Sequence, residues 1–108
     1  MEKILELARG LADAFTACEA YAEYTNVKSR IENDPELSLK ITEFEKAAEA
    51  FEAKRGGEGV SFDEERIISN MYTDIWLNGD GRAYFTSLSE LYKALGEIYD
   101  ILENGCKI

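Results

Sequence analysis

Apolar residues recur along this chain at alternating intervals of three and four, the period of one face of an α-helix. Ile4, Ala8, Leu11 and Phe15 mark the first such face. Thr16-Ala17-Cys18-Glu19 then reads as a capping box, with Thr16 accepting a backbone N–H and Glu19 reaching back, so a new helix or a kink is expected near Thr16. Ala20, Tyr24, Val27 and Ile31 carry the apolar side of that second helix.

Asn33-Asp34-Pro35-Glu36 is the clearest punctuation in the sequence. Asp34 can cap a helix, Pro35 suits a first helical position because it has no N–H to leave unpaired, and Glu36 favours the positive helix end. Leu37, Ile41, Phe44, Ala48 and Phe51 continue the pattern until Arg55-Gly56-Gly57-Glu58-Gly59. Three glycines there predict a flexible connector at about 55–60. Ser61-Phe62-Asp63-Glu64 is a second capping box, opening a helix through Ile67, Ile68, Met71, Ile75 and Trp76. Asn78-Gly79-Asp80-Gly81 closes it and caps the next.

The last helix has the most regular pattern. Tyr84, Leu88, Leu91, Leu95, Ile98 and Leu102 hold a heptad-like repeat, and at ~1.5 Å per residue the segment 82–104 spans roughly 34 Å. Five helices are expected, or four if the first two are continuous, in a single all-α domain covering 1–108. Phe85, Tyr92 and Tyr99 lie seven apart beside the repeat, making the apolar face broader than a two-helix seam needs. Two neighbouring helices of the same chain can cover such a face. A second copy can cover it as well, which a domain this small favours. On the second reading the interface comprises Tyr84, Phe85, Leu88, Leu91, Tyr92, Leu95, Ile98, Tyr99 and Leu102, and the bundle is dimeric.

Composition narrows the functions open to such a bundle. The chain has 108 residues, 45% of them hydrophobic, and a net charge of −10 shared equally between its halves. Phosphate backbones need clustered Lys and Arg, so direct nucleic-acid binding is not expected. The N-terminal apolar stretch is interrupted by Glu2 and Glu6, unlike a secretory signal, and no segment is long and uncharged enough to cross a bilayer. Two cysteines make no disulfide framework, and the expected setting is the reduced cytoplasm.

Histidine is absent, which removes the commonest general base, the Ser-His and Cys-His pairs and the usual zinc ligand. Glu45, Glu49 and Glu52 lie on a helix face without the Glu-x-x-His of a di-iron bundle and read as solvated surface. Asn78-Gly79-Asp80-Gly81 resembles the middle of a calcium loop, but Trp76 and Ser87 would then occupy the first and twelfth positions, where carboxylates are needed. No catalytic or cofactor-binding residue is assigned. Cys18 reads as a packing residue, and Cys106 is the one candidate thiol for a metal or redox role. Trp76 and Tyr72, one turn apart, belong either to the core or to an exposed hot spot.

The ordered features Thr16-x-x-Glu19-x-Tyr21, Tyr24, Lys28, Ile31, Asp34-Pro35-Glu36 and Ile41-x-Glu43-Phe44 resemble the YlbF/YmcA family of small bacterial regulatory proteins. A Gly-containing gap, a shorter helix, an Asn-led turn at Asn78 and a long closing helix complete a likeness running over roughly residues 4–104. The chain has Asn78-Gly79 where Asn-Pro is usual in that family. The resemblance implies long antiparallel helices that commonly dimerise and no enzymatic activity. It also implies a regulatory role in competence, sporulation and biofilm control, with a complex that works with a membrane-anchored endoribonuclease in messenger RNA maturation. Some members of that complex bind iron–sulfur clusters through cysteines, for which Cys106, with thiols from partner chains, is this sequence's candidate. The reading is thus a cytoplasmic regulatory adaptor, paired with itself or a paralogue and with regulatory protein partners. The alternative is an iron–sulfur accessory protein using Cys106.

Overall fold

The structure, a computed structural model, describes residues 1–55 and 61–106. These form five helices: α1 (Glu2–Thr16), α2 (Glu19–Glu32), α3 (Pro35–Arg55), α4 (Phe62–Trp76) and α5 (Gly79–Cys106). The connector expected at about 55–60 lies almost wholly outside the described residues.

Most helix starts are set by the side chains the sequence marks. Asp34 Oδ1 accepts the Leu37 N–H at 3.2 Å, with Pro35 as the first residue of α3. Ser61 Oγ accepts the Glu64 N–H at 3.1 Å, while the Glu64 carboxylate turns to Lys54 at 3.8 Å. Asn78 Oδ1 accepts two N–H groups, from Asp80 at 2.9 Å and Gly81 at 3.1 Å, and starts α5 three residues earlier than the apolar repeat suggests.

The Thr16–Glu19 capping box does not form. Thr16 is still helical, and its hydroxyl donates back to the Asp13 carbonyl at 3.0 Å. Ala17 N–H also bonds Asp13 and Ala14 carbonyls, so α1 runs on through Thr16 before the chain breaks. Cys18, extended at φ −78° and ψ 159°, is the residue before α2, and its side chain makes no cap bond. The expected break is present, displaced by two residues.

α3 and α4 form an antiparallel hairpin, and α2 runs antiparallel to the first half of α5. Lys40–Asp74 at 3.1 Å and Lys54–Glu64 at 3.8 Å fix α3 against α4 at both ends. Arg30–Asp80 at 3.2 Å places the end of α2 beside the start of α5, and Tyr24 meets Tyr84 further along. Val27, Ile31, Leu37, Ile41, Ile75 and Tyr84 form the core where α2–α5 meet, with Phe44, Phe85 and Leu88 packed against it. Burial of such side chains supplies ~1.5–3 kcal/mol each. α1 stands apart from this core: it packs chiefly on α2, and only Phe15 of its fifteen residues is as much as half-buried.

Candidate interaction surface

The apolar face of α5 divides into two halves. In the first, Tyr84 and Leu91 are buried and Phe85 and Leu88 half-buried, covered by the chain's own α2, α3 and α4. In the second, Tyr92, Leu95, Tyr99 and Leu102 are exposed, at 65%, 44%, 60% and 54%, and Ile98 is half-buried. Length explains the division. α2 has 14 residues and α5 has 28, so α2 runs out halfway along its partner. Beyond that point the chain turns at Ala17–Cys18, and α1 does not continue alongside α5. The same face of α5 is therefore core at one end and surface at the other.

α1 is the second uncovered face. Ile4, Leu5, Leu7 and Leu11 are 44–67% exposed, and with Ala8 and Phe15 they occupy one side of the helix. Glu2, Lys3, Glu6, Arg9 and Asp13 occupy the other. Such segregation is the signature of a helix built to lie on an apolar surface, yet within the chain only its C-terminal end does so, where Phe15 meets Tyr21 edge-on at 6.2 Å.

That contact opens a row of aromatic rings that the linear repeat does not reveal. Phe15, Tyr21, Tyr24, Tyr84, Phe85, Tyr72 and Trp76 succeed one another with centroids 4.6–6.5 Å apart, and Phe44 joins at Phe85 and Tyr72. The row links α1 to α4 through α2 and α5. Trp76 and Tyr72, left open between core and surface by the sequence, are stacked at 18° and remain 37% and 41% exposed. The Arg82 guanidinium lies over Trp76 at 5.6 Å and donates to the Trp76 carbonyl at 3.2 Å.

Electrostatics along this surface are mild. Burial, the nearby Glu45 carboxylate and Tyr24 push the Tyr84 phenol well above its ordinary value, and its hydroxyl donates to Glu45 at 3.3 Å. Glu45 thus has a structural partner that helix-face reasoning did not find, because α3 and α5 meet 39 residues apart in sequence. The Lys40 ammonium is raised by its hydrogen bond and charge pairing with Asp74, and then by Glu36 and Asp34. A shallow groove of about 570 Å³ between α2 and α5 is lined by Ala20, Ala83 and Ser87 with three carboxylates, Glu19, Glu23 and Glu90, against the single guanidinium of Arg82, so its charge is net negative.

Cys18 is half-buried between α1 and α2, and Cys106 is exposed at the end of α5. An iron–sulfur cluster takes about four ligands, and among the described residues no three metal-binding side chains gather. The chain's own residues do not fit such a cluster; one thiol could only complete a set provided by other chains. No described helix is long and apolar enough to cross a membrane.

Five helices and two amphipathic faces left exposed define an all-α protein among the described residues. The chain belongs to the family described as control of competence regulator ComK, YlbF/YmcA, whose profile matches residues 4–106. It is also similar to UPF0342 proteins of two bacteria. That of Caldicellulosiruptor bescii is 28% identical over 106 residues, covering 97% of this chain and 89% of the relative. That of Caldicellulosiruptor saccharolyticus is 28% identical over 103 residues, covering 94% and 86%. No solved structure matches.

Proposed function

We propose that this chain is a non-enzymatic regulatory adaptor of the bacterial cytoplasm. It acts by binding protein partners: a copy of itself or a paralogue, and components of the endoribonuclease machinery with which the YlbF/YmcA family is associated. The observation that carries this reading is the uncovered apolar surface of α1 and distal α5. Of sixteen large hydrophobic residues that stand exposed among the described residues, ten belong to residues 1–11 or 92–102. Solvent-facing apolar groups concentrated this way mark a binding surface, whereas scattered ones do not.

The test is affinity purification of the tagged chain from its own cells under anaerobic conditions, with co-purifying proteins identified by mass spectrometry. A stoichiometric paralogue or ribonuclease-associated protein is expected. Recovery of the chain free of any such protein under every growth condition in which it is expressed would sink the adaptor reading. The second reading, an iron–sulfur accessory protein, is favoured by one observation, the exposure of Cys106 where another chain's thiols could approach it.

A further inference from the structure

We propose that the groove between α2 and the first half of α5 is a docking site for a basic amphipathic helix of another protein. This groove is separate from the exposed apolar faces of α1 and distal α5. The proposal therefore goes beyond the adaptor reading, giving a second surface a partner of stated chemistry.

The shape of the groove suits a helix. On α5 it runs from Gly79 to Glu90, about 16 Å at ~1.5 Å per residue, or about three turns. A helical segment of that length and ~10 Å diameter fills about 1,250 Å³, so a groove of about 570 Å³ takes in roughly half its girth. α2 and α5 present small side chains to the groove, Ala20, Ala83 and Ser87, and small contacts let helix axes approach closely. The Ser87 hydroxyl already donates to the Tyr84 carbonyl at 3.1 Å and demands nothing of an occupant. Both walls are helices whose backbone groups are bonded within their own turns. An extended peptide would find no ladder to join there and would bury unpaired N–H and C=O groups, whereas a helix arrives with its backbone paired.

Charge defines which helix. Glu19 and Glu23 stand one turn apart on α2, and Glu90 stands on α5. All three are exposed, and among the described residues none pairs with a cation. Arg82 lines the groove, but its guanidinium lies over the Trp76 ring at 5.6 Å and donates to the Trp76 carbonyl at 3.2 Å. The carboxylates are not gathered as a metal site either, since no three metal-binding side chains converge among the described residues. Negative charge distributed in this way is met by several cations spread along a partner. Lysines or arginines three or four apart on both flanks of a helix, with a strip of alanine-sized residues between them, complement the groove. Each described helix of this chain is itself net negative, so a second copy is not that complement.

The test is titration of the full-length chain with two fluorescein-labelled synthetic peptides, read by anisotropy. One is an alanine-based helix of about 16 residues with lysines on both flanks. The other replaces two central alanines with proline, which removes the helix. Micromolar binding of the first is expected, with the second roughly 10-fold or more weaker. Glu19→Lys combined with Glu23→Lys should weaken the helical peptide roughly 10-fold or more, and so should Ala20→Leu, which fills the groove without changing its charge. Glu49→Lys combined with Glu65→Lys, on α3 and α4, makes the same change in net charge and should leave binding within about twofold. Glu19 and Glu23 are exposed, so their paired variant should keep wild-type helicity and Trp76 emission, and it decides the matter if Ala20→Leu does not fold. No saturation by the helical peptide below about 1 mM overturns the proposal. So does equal binding of the proline peptide, equal weakening by the two charge-reversed pairs, or wild-type binding by a folded Ala20→Leu. Proteins recovered with the tagged chain bear on the adaptor reading alone, which stands or falls apart from either peptide.

Discussion

Gly81 packs directly against the backbone of Ile75, six residues earlier, and the pair closes the corner between α4 and α5. A Cβ on Gly81 would run into the Ile75 carbonyl oxygen and approach its Cγ2 to 2.8 Å. Ile75 is 1% exposed and cannot yield, and the obstructing carbonyl is backbone.

Gly81→Ala should therefore destabilise the protein by about 1–3 kcal/mol, lowering the midpoint of thermal unfolding by several degrees per kcal/mol. Gly96→Ala should act in the opposite sense. Nothing lies within 4 Å of its would-be Cβ, and in mid-helix the change gains about 0.5–1 kcal/mol. Circular-dichroism melts of the two variants should move to opposite sides of wild type, and shifts of the same sign would contradict the packing at this corner.

Asn78 holds the same corner from the other side, accepting two of the N–H groups that the start of α5 leaves unpaired. Asn78→Ala should cost about 1 kcal/mol, and Asn78→Asp should restore most of it, because an aspartate offers the same acceptor beside the positive helix end. Urea unfolding followed by Trp76 emission measures both.

Alkaline pH should unfold the protein through Tyr84. Its folded-state value lies above the ordinary 10.0, so the stability it contributes is fully present below pH 10 and is lost as the pH climbs past that point. Lys40, raised above 10.5, weakens in the same direction. Tyr84→Phe should change neutral-pH stability by less than about 1 kcal/mol while flattening the decline above pH 10. A variant whose stability falls as steeply as wild type there would assign the decline to other groups.

The chain purified alone should contain no iron, because one exposed thiol cannot hold a cluster, and Cys106→Ser should leave its melting temperature unchanged. Iron that accompanies the chain only in a complex, and leaves with Cys106→Ser, would establish the second reading.

How far the sequence discloses this molecule varies with the range of the interaction. Local signals are reliable: Asp34, Ser61 and Asn78 cap the helices they precede, because a cap depends on residues three apart. Thr16 shows the limit of the same logic. Its hydroxyl can bond forward as a cap or back to Asp13, and the persistence of α1 selects the second. Burial along α5 is illegible for another reason. Leu88 and Leu95, seven apart, occupy equivalent positions in the repeat, yet the first is half-buried and the second 44% exposed, a contrast set by where a different helix ends. The aromatic row and the Tyr84–Glu45 bond likewise depend on contacts between distant segments, which no periodicity encodes.

The molecule extends 48 × 38 × 19 Å, and its thin dimension is about two helix diameters. A plate of this kind has little interior: of the described core hydrophobics, only Val27 and Ile75 are less than 2% exposed. Shortening either of those two side chains therefore opens the enclosed part of the molecule to water, with no second layer behind it to close the gap.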